Sequence, residues 1–171
     1  LRSFERGQRE NPDHVSCILN LKPCSAGPDQ TALACLATVM GYWKIQTPPA
    51  VIERALKTYP ASLEMEQKLK RFAEDHRLWA YQESPSLDKI ARLIHHRVPV
   101  IARLNRNPFD LSTGYYVVVF GFDDLRQLVL FYSGQKKASV TSYSDFFKLW
   151  NSAGSRALAV CPPDFPSWEL D

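Results

Sequence analysis

An α+β domain is what this sequence predicts, and three observations carry the prediction. Apolar residues recur at helical spacing through most of the chain up to residue 96. The period then changes, and Val-Pro-Val-Ile and Val-Val-Val runs take over. Helices gathered ahead of strands, with one late helix, make a helical N-terminal half packed on a largely antiparallel sheet.

The bulk composition agrees with one domain. The chain has 171 residues, 45% hydrophobic and 23% charged, close to the globular average. Its longest apolar run, 115–122, falls far short of the roughly 18 residues that cross a bilayer, so no transmembrane segment is expected. The start from Leu1 to Arg6 is polar and basic, without a signal-peptide pattern. A net charge of +3, from 21 basic and 18 acidic residues, is too balanced to suggest nucleic acid. Lys68, Lys70 and Arg71 read as a solvated helix face. Arg92, His95, His96 and Arg97 complement a helix C-terminus.

Residues 1–16 show no apolar period and are expected to form a polar arm; 17–163 form the domain and 164–171 a tail. A short strand is expected at 17–21 and a loop at 23–28, with Asp29 as the N-cap of the next helix. That helix, 31–43, carries Leu33, Leu36, Ala37, Met40 and Trp43 at helical spacing, with small residues for close packing. It should be central and mostly buried. Pro48-Pro49 opens a second helix through about 58. A third covers 62–76, with Leu69, Phe72 and Ala73 on its stripe. Residues 79–82 read as a strand and 86–96 as a fourth helix.

Strands follow at 98–104 and 115–122, the second buried on both faces. Further strands are expected at 127–133 and 138–142. A short amphipathic helix covers 144–150, and 156–161 closes the sheet before Pro162-Pro163.

Four cysteines occur, Cys17, Cys24, Cys35 and Cys161. None forms a Cys-x-x-Cys pair and no His completes a metal spacing, so neither a metal site nor a cofactor is implied. Cys17 with Cys24 as a disulfide, or four free thiols, both stay open. His14, His76, His95 and His96 are read as surface residues.

This layout suits one chemistry: a nucleophile at a helix N-terminus facing a base at the head of a strand. At those places the sequence reads Gln30-Thr31-Ala32-Leu33-Ala34-Cys35-Leu36-Ala37-Thr38-Val39-Met40-Gly41-Tyr42-Trp43 and Tyr115-Tyr116-Val117-Val118-Val119-Phe120-Gly121-Phe122-Asp123. Both stretches, with Arg97-Val98-Pro99-Val100-Ile101, resemble the double-glycine-leader (bacteriocin-processing) cysteine peptidases of stand-alone type. The resemblance spans about residues 17–163 and implies a papain-like fold.

The departures fall on the catalytic positions. The family's Cys-Gly-Pro falls on Thr31-Ala32-Leu33, and its His on Tyr115. Its third member, Asp or Asn, falls near Tyr132-Ser133-Gly134, with Ser133 as the matched position. Its oxyanion glutamine falls around 24–26, and the role does not pass to Gln30.

Internal threonine lacks the free amine that usually activates it. A phenol, with an ordinary pKa of about 10, is a poor base near neutrality.

The resemblance therefore implies a pseudoenzyme that holds a peptide or protein partner in the former cleft, lined by Gln30, Thr31, Tyr115 and Tyr116. Degenerate relatives attached to exporters hold cargo without cutting it. Exported stand-alone relatives imply an extracytoplasmic location. Two alternatives stand beside this reading. One is an active peptidase using a relocated thiol, Cys24 or Cys35. The other is an assembly module docking elsewhere, for instance through Phe165-Pro166-Ser167-Trp168.

Overall fold

The computed structural model describes residues 16–107 and 109–165. Apart from Ser16, the expected N-terminal arm lies outside them, as do His14 and the tail beyond Phe165. Among the described residues there are seven strands and five α-helices. The strands are β1 (Ser16–Ile18), β2 (Trp79–Glu83), β3 (Val100–Asn105), β4 (Gly114–Asp123), β5 (Leu128–Tyr132), β6 (Ser139–Ser142) and β7 (Ala157–Cys161). The helices are α1 (Thr31–Tyr42), α2 (Pro49–Leu56), α3 (Met65–Asp75), α4 (Leu87–His95) and α5 (Tyr143–Asn151).

All pairings are antiparallel, in the order β2-β7-β3-β4-β5-β6, and β1 pairs with the far end of β4. The domain is thus α+β, with helices on both faces of one sheet. No described helix is long and apolar enough to cross a membrane.

Helix α1 is buried from Ala32 through Met40. A helix apolar on every side belongs inside a fold rather than on its surface, and α1 packs on β4. Trp43, just past its end, donates its indole N–H to the Val160 carbonyl of β7 at 2.8 Å. Strand β4 is buried from Tyr116 to Asp123. Its Val118 and Phe120 lie in the core with α1, while Val119 faces Ile90, Ile94 and Phe146 of α4 and α5. The Val-Val-Val run has apolar cover on both sides for that reason.

Several boundaries differ from the sequence expectation. Asp29 is not the N-cap of α1. Pro28 starts a 3₁₀ turn, Pro28–Gln30, that runs straight into the helix, and Gln30 takes the cap position without a side-chain bond. Proline's fixed φ starts the turn early. Helix α3 begins at Met65 rather than 62, because Glu64 and Gln67 form a reciprocal capping box. Strand β3 begins at Val100, since Val98 still belongs to the end of α4 and Pro99 offers no N–H.

Three helices end in the same way. Lys44, Arg77 and Arg97 have positive φ, 68°, 62° and 70°. In each, the next residue's N–H reaches back to the last turn: Ile45 to Met40, Leu78 to Ala73 and Val98 to Leu93. These are Schellman caps with a basic residue where glycine is usual. The charge complements the helix dipole, but the backbone is strained for a residue with a Cβ.

Replacing Arg77 by glycine should therefore stabilise the domain by about 0.5 kcal/mol, and Arg77→Val should destabilise it by about 1 kcal/mol. Urea midpoints of the two variants against the parent check both signs.

Candidate active-site cleft

Strands β4 and β5 part at one end. Their ladder stops where Val118 faces Tyr132. Continued in register, Tyr116 would next face Gly134. Gly134 instead turns away with φ of 75°, and the first residue of α1 enters the gap. The Tyr116 N–H donates to Thr31 Oγ1 at 2.9 Å, where a β5 carbonyl would have accepted it. A Cβ on Gly134 would stand 3.1 Å from Thr31 Cγ2 and 3.3 Å from its Cα. Only glycine combines that φ with that approach. The Gly134 carbonyl accepts from the Ala26 N–H at 3.2 Å, which ties the loop before α1 to the same point.

An open cleft of about 550 Å³ lies over this junction. Pro28, Asp29 and Thr31 form one wall, Ser133 and Gln135 the end of β5, and the β3–β4 connection the other wall. Thr31, Tyr115 and Ser133, placed together from sequence, all line it. Gln30 and Tyr116 are not among its lining residues. The Gln30 amide donates to Glu53 of α2 at 3.3 Å. Tyr116 alternates to the opposite face of β4, where it is buried and its hydroxyl bonds Glu66 of α3. Burial, and then Glu66, pushes that phenol well above its usual range.

Two residues that sequence reasoning passed over build the second wall. Asn105 is 1% exposed. Its amide donates to the Asp110 carbonyl at 3.2 Å, and its side-chain oxygen accepts from Asn107 N–H at 3.1 Å and Thr113 Oγ1 at 2.6 Å. Its own carbonyl accepts from Ser152 Oγ at 2.9 Å. Arg106 follows, with its guanidinium carbon 4.9 Å from the centroid of the Tyr115 ring. The Asn-Arg-Asn run between two strands was the available signal, since asparagine side chains commonly organise turns.

No described histidine lines the cleft. His76 stacks on Phe72 within α3 and its Nδ1 bonds the Phe72 carbonyl. His95 ends α4, and His96 caps it. All four thiols are free. Cys35 lies one turn inside α1, wholly buried, and burial drives its pKa far upward. Cys161 is pushed up to about 11 by burial and by Asp164. Cys17 is raised by burial, partly offset by Arg97, and its Sγ donates to the Ile94 carbonyl. Cys24 is half-buried; its N–H donates to Thr38 Oγ1 at 2.9 Å, so it lies beside the second turn of α1 rather than over Thr31. Among the described residues no three His, Cys, Asp or Glu side chains cluster as metal ligands do.

A helix N-terminus set against the head of a buried strand, beside an open cleft, is the architecture of a papain-like peptidase domain. The chain belongs to the Peptidase C39 family, whose profile matches residues 26–158. None of the curated protein sequences compared with the chain matches it. Solved structures do, at the level of fold. The peptidase domain of Streptococcus ComA, a bi-functional ABC transporter involved in quorum sensing, is 15% identical with a TM-score of 0.64, covering 83% of this chain and 97% of that one. A C39-like peptidase from Bacillus anthracis is 16% identical with a TM-score of 0.68, covering 85% and 97%. A double glycine motif protease from an AMS/PCAT transporter, in complex with its leader peptide, is 15% identical with a TM-score of 0.64, covering 85% and 94%.

Two outcomes are expected from this geometry. Gly134→Ala should destabilise the domain by about 1–2 kcal/mol, and it should speed hydrogen exchange at the Tyr116 amide by displacing its acceptor. In iodoacetamide labelling from pH 6 to 9, Cys35, Cys161 and Cys17 should stay slow, because their raised pKa values keep the thiols protonated.

Proposed function

We propose that this chain is a catalytically inactive peptidase-like domain that binds a peptide or protein partner through the former active-site cleft. One observation carries the proposal. The hydroxyl at the nucleophile position, Thr31, is engaged as an acceptor by the Tyr116 backbone amide, and the residue that lines the same cleft at the head of β4 is Tyr115, a phenol. A general base must take the nucleophile's proton near neutral pH, and a phenol is poorly matched to that task.

The remaining chemistry of the cleft supports holding rather than cutting. Loss of nucleophile and base together leaves only binding and oxyanion effects, which are several powers of ten weaker than a complete site. The cleft stays open at about 550 Å³, which favours an occupant over a plugged relic. A related double glycine motif protease was solved with its leader peptide, and an extended peptide is the class of occupant that this reading transfers. The relocated-thiol alternative gains no support: Cys35 is sealed in the core, Cys24 is not among the cleft's lining residues, and no described histidine lines the cleft.

The test has two arms. The parent protein should leave a double-glycine leader peptide uncut, while peptide binding should slow hydrogen exchange at residues 112–116 and 133–135. Thr31→Cys combined with Tyr115→His should create a thiol alkylated at pH 6 at least about tenfold faster than free cysteine, as a thiol paired with imidazole is. Cleavage by the parent would overturn the inactive reading. Binding that protects a different surface would overturn the cleft as the site. An inert double variant would remove the claim that positions 31 and 115 still face each other as a nucleophile and base would.

A further inference from the structure

Arg106 is a cation with an unusual setting. It is exposed, it lines the cleft, and among the described residues its guanidinium lies over the Tyr115 ring and makes no hydrogen bond or ion pair. A ring face attracts a guanidinium but takes none of its five N–H donors. Contact with the ring also restrains the side chain, so less freedom is lost when those donors find an acceptor. Asn105 contributes to the same end: directly before the arginine, its buried amide pins the chain that follows at Asn107, Asp110 and Thr113.

The surrounding charge indicates what acceptor fits. Lys136 and Lys137, which follow the lining residue Gln135 in sequence, are exposed. Two carboxylates stand nearby, Asp29 on the α1 wall and Asp110 in the loop. Asp110 already accepts from the Ser112 N–H at 2.9 Å and from its Oγ at 2.6 Å. Neither aspartate pairs with Arg106. The other lining residues mostly carry small hydroxyls and amides, which offer hydrogen bonds.

We infer that Arg106, set over the Tyr115 ring, receives a carboxylate of the peptide that occupies the cleft. The inference rests on the binding function proposed above and adds its specificity. Arginine meets a carboxylate through two parallel N–H bonds, a geometry that lysine lacks. The carboxylate belongs either to an Asp or Glu side chain or to the peptide's own C-terminus. Because the pair stays partly in water, its effect is modest and sensitive to salt.

Two pools of short random peptides test this on the full chain, one with free C-terminal carboxylates and one amidated. Each is passed over the parent protein, Arg106→Gln, Arg106→Lys and Ser133→Trp, the last filling the cleft. Retained peptides are then sequenced by mass spectrometry. Circular dichroism and melting curves confirm that each variant is folded.

The parent should enrich acidic residues from the amidated pool if the carboxylate is a side chain, or retain only the free-acid pool if it is the chain end. Either result supports the inference, provided that the preference disappears in Arg106→Gln. Arg106→Lys should keep part of it. Changing the selected acid to its amide should weaken binding about fivefold on the parent and not on Arg106→Gln. Peptides retained by the parent, lost by Ser133→Trp and showing no acidic preference would overturn the role of Arg106 while leaving the cleft as the binding site. Peptides retained equally by Ser133→Trp, or none retained at all, would overturn both.

Discussion

The site of this domain depends on one side chain standing in for a strand. Thr31 accepts the Tyr116 amide where the β4–β5 ladder would have continued. A buried strand edge with an unpaired N–H is costly, and Thr31 removes that cost with its hydroxyl. The splay of the two strands, the seat of the helix and the opening of the cleft follow from the same contact. Gly134 permits it, because a Cβ there would meet the Thr31 backbone.

That contact also ties the order of the cleft to the fold. The Thr31 oxygen takes a structural bond, and the wall across the cleft is organised by a buried asparagine, followed by an arginine set over the Tyr115 ring. Rigid polar groups lose little freedom on binding, which favours selectivity more than strength.

Much of the fold was legible in the sequence, for reasons that particular residues show. Residues 31–43 read as a buried central helix because their small and apolar residues surround the axis, and Ala32 to Met40 are buried. Residues 115–122 read as a strand covered on both faces, because three valines in succession have no solvent side. The errors fell at boundaries. Asp29 looked like a cap, yet Pro28 had already begun a 3₁₀ turn. Ser62 looked like a helix start, yet the reciprocal bond between Glu64 and Gln67 set it later. The ends of α1, α3 and α4 fell within one residue of the expected 43, 76 and 96, although the left-handed caps at Lys44, Arg77 and Arg97 lack the usual glycine.

The sequence by itself determined the α+β class and the order of the elements, and it placed threonine at position 31 and tyrosine at position 115. Those features are local, since period, propensity and residue identity are carried by neighbours along the chain. Only the tertiary structure decided which side chains share the cleft. Tyr115 and Tyr116 are adjacent in sequence, but strand alternation sends them to opposite faces, one to the cleft and one to Glu66. Gln30 and Thr31 are likewise adjacent, and the turn of the helix sends the first to Glu53 and the second into the strand gap. Direction, unlike identity, is set by what lies across from a residue, and that is fixed only when distant elements pack.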